Sequence, residues 1–85
     1  MPGPATDIAI ASACAWAAAV GRADRVALDM CHDSPFDWPR REMIACLLLW
    51  AWATRKRRDL IPFYRERARS AIRAYRNIAD AEKWA

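Results

Sequence analysis

Arg65, Arg69, Arg73 and Arg76 stand at i, i+4, i+8 and i+11 in the stretch IPFYRERARSAIRAYRNIADAEKW. At about 100° per residue, four side chains so spaced fall within roughly 80° of one another on a helix. A planar guanidinium fork grips carboxylate or phosphate through two donors at once, so the chemistry of such a row is anion recognition. Arg55, Lys56, Arg57 and Arg58 supply four more consecutive cations where the run CLLLWAWATRKRRDL leaves its apolar half. Like charges at i,i+4 repel by about 0.2–0.5 kcal/mol each, and a helix shaped for stability alone would alternate signs. Two accounts of the row remain open. It is a face for an acidic partner, or its stems cover apolar surface while the heads stay in water. In the second account Asp24, Asp29, Asp33 and Asp37 neutralise some of the arginines internally.

No other constellation points to a reaction. His32 follows Cys31 directly, and neighbours at i,i+1 on a helix point in different directions, which is poor geometry for a nucleophile and its base. Asp33 and Asp37 suit turn and cap positions better than acid–base work. No glycine-rich phosphate loop is present. The expectation is a non-enzyme with no catalytic residues, no metal and no cofactor. Cys14, Cys31 and Cys46 are widely spaced and include no CxxC pair, so they are expected to be buried free thiols of a reduced, cytoplasmic protein. No cation precedes the first apolar stretch, as a secretory leader would require.

Tryptophan is the other unusual resource. Five in 85 residues give a small core large side chains to bury. Trp38, at a boundary, and Trp84, near the C-terminus, are instead candidates for exposed anchors, because interface hot spots favour Trp and Arg. Ordinary packing is the competing account for both.

The elements that would hold these residues are helical. Alanine is abundant, only Gly3 and Gly21 are glycine, and β-branched runs are absent. Residues 1–5 read as a flexible lead and 6–85 as a single helical domain. Thr6 or Asp7 is a candidate N-cap for an Ala-rich helix. Gly21 either ends that helix at a tight corner, the favoured reading, or is a weak point within one long helix. Ala23, Val26, Ala27 and Met30 would share one face after it. Pro35 and Pro39 enforce a break. A second helix over 38–57 follows, with Asp37 as its cap and Pro39 in its first turn. A third begins between Leu60 and Pro62, capped by Asp59, and continues to Lys83. Its apolar stripe holds Ile61, Tyr64, Ala68, Ala71, Ile72, Tyr75, Ile78 and Ala79.

Residues 43–53 are apolar on every side. Eleven residues cover about 16 Å, too short to cross a bilayer. A helix greasy all round should be surrounded by others. The fold class expected is therefore all-α, a compact bundle of three to four helices with a hydrophobic central helix, in which Leu48 is core.

Charge divides the chain. Residues 1–38 carry −3 and residues 39–85 carry +7. Twelve of the fourteen cations are arginine, which fits either selection for anion binding or a GC-rich genome. The functional expectation is a small helical adaptor or inhibitor, of phage or mobile-element type, docking on an acidic surface of a larger protein complex, one that itself handles nucleic acid. The alternative is direct nucleic-acid binding through the basic stripe 55–76, since phosphate contact needs only cations. Peripheral membrane binding fits less well, because the apolar stripe is needed for the core.

Overall fold

The computed structural model describes residues 3–31 and 38–83. The first helix, α1, is Pro4–Met30 and runs unbroken through Gly21, so the favoured corner at that glycine does not form. Both sides of Gly21 are strong helix formers, and one interior glycine costs only about 1 kcal/mol against them. Gly21 keeps a negative φ and makes no cap. The helix also starts earlier than a Thr6 or Asp7 cap would place it. Gly3 is the N-cap in an extended conformation, and its carbonyl accepts from the Thr6 and Asp7 amides at 2.9 and 3.3 Å. Pro4 stands at the first helical turn, where its missing N–H costs nothing.

The second helix, α2, is Trp38–Lys56, with Pro39 in its first turn as expected. The expected cap, Asp37, lies outside the described residues. Arg55 and Lys56 close the helix, where cations favour the partial negative charge of its end. Arg57 leaves the helical region at φ −145° and ψ 76°. A 3₁₀ turn, Arg58–Leu60, then leads into α3, Ile61–Lys83. Asp59 sits inside that turn and gives its carboxylate to Arg57 at 2.8 and 2.9 Å, so it does not cap α3.

The three helices pack as a bundle in which α2 lies along both α1 and α3. The contact surfaces are rows of small residues at helical spacing. Ala19 and Ala23 of α1 meet Leu49 and Ala53 of α2, and Ala27 and Ala45 are buried on the same two helices. Cys46 of α2 meets Ala68 and Ala71 of α3. Small residues let helix axes approach closely, toward the lower end of the 8–10 Å range. Among the described residues, Leu49 and Tyr64 are the large side chains buried in this interior. Trp16, Trp50 and Trp52 pack against it as a half-buried rim. Trp16 Nε1 donates to the Tyr64 hydroxyl and thereby ties α1 to α3.

The interior is consequently thin, and large apolar side chains remain outside. Leu48 is 37% exposed and Leu47 40%, whereas Leu49 is 6% exposed. Leu48 is therefore not core; it stands at the rim of the α1–α2 contact, where Leu49, about 100° round the helix, takes the buried position. Val26 and Met30 are exposed at the edge of the α1 face on which Ala23 and Ala27 are buried. On α3 the buried stripe is Tyr64, Ala68 and Ala71, with Ile61, Ile72 and Tyr75 half-buried, and Ile78 and Ala79 exposed. No helix of the described residues is long and apolar enough to cross a membrane.

Candidate binding surfaces

Helix α3 presents Arg65, Arg69, Arg73 and Arg76 as an exposed row spanning about 16 Å at the helical rise. Tyr64, Ala68 and Ala71 hold the helix down on the opposite side, which turns the row to solvent. Among the described residues no ion pair involves any of the four; Asp59 is held by Arg57 and Glu42 by Arg67. Asp24 borders a cleft with Trp16 and Glu42 rather than the row. Asp33 and Asp37 lie outside the described residues. Arg55, Lys56 and Arg58 are likewise exposed.

Arg57 is different from its neighbours. Its Nε and Nη2 donate to the two oxygens of Asp59, its Nη1 donates to the Ser12 hydroxyl at 2.6 Å, and its guanidinium lies over the Trp16 ring at 5.8 Å. The hydrogen bond to Asp59 raises the Arg57 pKa, and the same bond lowers that of the Asp59 carboxyl. Arg57 thus clamps the α2–α3 turn onto α1, and its fork is already occupied.

Trp38 is 62% exposed, with the Arg41 guanidinium 5.4 Å from its ring centre. It borders an open cleft of about 400 Å³ between α1 and α3, whose other walls include Trp16, Phe63 and Tyr64. Trp84 lies outside the described residues. The cleft also reveals residues that sequence reasoning missed. Arg67 bonds Glu42 at 3.2 Å and lies over the Phe63 ring at 5.5 Å, joining α2 to α3. Arg67 falls outside the i, i+4 row, and nothing in its neighbours signals a partner 25 positions away.

The cysteines separate by environment. Cys31 and Cys46 are buried free thiols, while Cys14 is exposed, contrary to the expectation for all three. Burial pushes the Cys46 thiol pKa up, and the nearby Glu42 carboxylate, 3.9 Å from its sulfur, adds to the rise. A thiol so held is a poor nucleophile near neutral pH. Among the described residues, no group of three or more His, Cys, Asp and Glu is placed to hold a metal. His32 lies outside them.

No family model, no curated protein and no solved structure matches the chain.

Proposed function

We propose that the chain is a small, non-enzymatic, cytoplasmic helical binding protein, an adaptor or inhibitor that docks on an acidic surface of a larger protein belonging to nucleic-acid-handling machinery. The observation that carries this reading is that one small chain exposes both kinds of side chain. Arg55, Lys56, Arg58, Arg65, Arg69, Arg73 and Arg76 are exposed, and so are large apolar side chains that the thin interior leaves outside, among them Leu47, Leu48 and Trp38. Protein interfaces combine an apolar centre with arginine and aromatic anchors. Direct nucleic-acid binding through 55–76 is the competing reading. It uses the cations but leaves the exposed apolar side chains without a role. A hydrophobic α2 surrounded on all sides, as its composition demands, would be achieved once a partner covers Leu47 and Leu48.

The test is the double substitution R69Q/R73Q. Helicity and melting should be nearly unchanged, because exposed charges contribute little to stability. The partner complex, recovered by pull-down with and without nuclease, should weaken and lose part of its salt dependence. Gel shifts against generic DNA and RNA at rising salt separate the alternatives. A shift abolished by R69Q/R73Q supports nucleic-acid binding instead. If the double variant melts the fold and changes no complex, the row is structural and the proposal fails.

A further inference from the structure

A groove runs along α1 and α2, separate from the α3 row. Its wider end lies between Ser12 and Lys56, its other end between Val26 and Leu48, and Arg22 and Trp52 border it midway. From residue 12 to residue 26 the helical rise gives about 21 Å. The two contiguous parts have volumes of 400 and 290 Å³. Alanines of α1 make the floor, so the trough is open enough to take side chains between the two helices. Val26 and Leu48, 43% and 37% exposed, are its apolar anchors. Arg22, Arg55 and Lys56 are exposed at its borders, and no acidic side chain of the described residues lines it.

We infer that this α1/α2 groove seats an acidic amphipathic helix of a partner protein, its apolar stripe against Val26 and Leu48 and its carboxylates on Arg22, Arg55 and Lys56. This rests on the acidic-partner reading but not on the α3 row. A trough between two antiparallel helices accepts the side-chain ridge of a third helix. A flat bilayer would touch its rims and leave the alanine floor empty. A second copy of this chain fits poorly. A parallel twofold pairing stacks the cations on their own equivalents, and an antiparallel one lays them over the copy's Val26 and Leu48. Carboxylates at helical spacing beside an apolar stripe answer both features.

The probe is a labelled peptide of about 18 residues, long enough to span the groove, with leucines at i, i+3, i+7 and i+10 and glutamates on both flanks. Fluorescence anisotropy with the full chain should show saturable binding at low salt. Arg22→Glu with Arg55→Glu should weaken it about tenfold or more, Leu48→Asp likewise, and R69Q/R73Q should leave it unchanged. A lysine version of the peptide should prefer the charge-reversed protein. Circular dichroism checks that each variant folds, and Arg22→Gln with Arg55→Gln replaces the reversed pair if it does not. The inference is overturned by no binding, by equal binding of a scrambled peptide, or by indifference to the groove variants. It is equally overturned if phosphatidylglycerol vesicles or self-association, followed by sedimentation, respond to those variants and the peptide does not. Loss of peptide binding in R69Q/R73Q alone would move the acidic partner to α3, sparing the broader reading while ending this one.

Discussion

Among single residues, Tyr64 carries the most specific duty. It is 3% exposed, belongs to the interior of α3, and accepts the indole N–H of Trp16 from α1. Tyr64→Phe keeps the ring and strands the half-buried indole N–H. The expected loss is about 1–2 kcal/mol, read as a lower midpoint in urea unfolding. Cys46 gives a second test. Its folded pKa stands above the ordinary 9.0. Between these values the unfolded chain has released the thiol proton and the folded chain has kept it, so stability falls as pH rises through that window. Below 9.0 the contribution is fully present. Cys46→Ala should therefore lose less stability than the parent between neutral pH and the alkaline range, measured by thermal melts in matched buffers. A thiol-reactive dye under native conditions should label Cys14 ahead of Cys31 and Cys46, which are buried.

At the scale of elements, α1 is held continuous by propensity rather than by anything Gly21 does. Nothing lies within 4 Å of a Cβ built at Gly21, and its φ is negative. Gly21→Ala should raise stability by about 0.5–1 kcal/mol, seen as a higher melting temperature. Loss of stability there would mean that the helix bends at this point in solution. Helix α2 offers a sharper contrast between neighbours. Leu49 lies between α1 and α3, so Leu49→Asp buries a charge with no partner, at a cost on the order of 4 kcal/mol or more, and should abolish the cooperative melt. Leu48→Asp, one position earlier and at the exposed rim, should leave the chain folded. Equal unfolding by both would place α2 in a different rotation about its axis.

The whole molecule is long, 60 × 25 × 20 Å, with a radius of gyration of 16.0 Å. A rounded chain of this length would have about 12 Å. The excess has a simple source. Arg57 meets Ser12, so the first turns of α1 overhang the end of α2, and Ile8 and Ile10 there are 70% and 55% exposed. The last turns of α3 extend past its buried stripe in the same way. Small-angle scattering at low salt should return an elongated monomer close to these dimensions. Raising the salt should favour self-association, because screening removes the repulsion among exposed arginines while leaving the apolar side chains in water.

Much of this was already present in the order of residues. Alanine content and the scarcity of glycine make the chain helical, Pro39 marks the first turn of α2, and the cations that follow Ala53 mark where α2 gives way to a turn. The period of Tyr64, Ala68 and Ala71 fixes which side of α3 faces inward and thereby turns Arg65, Arg69, Arg73 and Arg76 outward. These are local properties, set by propensity and by helical geometry acting within a few turns. Tertiary packing decided the rest. Residues 43–53 are apolar on every side, so their own pattern cannot choose between Leu48 and Leu49; only the positions of α1 and α3 do. Arg57 looks like its neighbours in sequence and is set apart by Ser12, 45 positions earlier, while Arg67 gains its role from Glu42 across the bundle. Pairings between distant positions depend on how helices dock, and side-chain periodicity within one helix contains no information about the helix that will lie beside it.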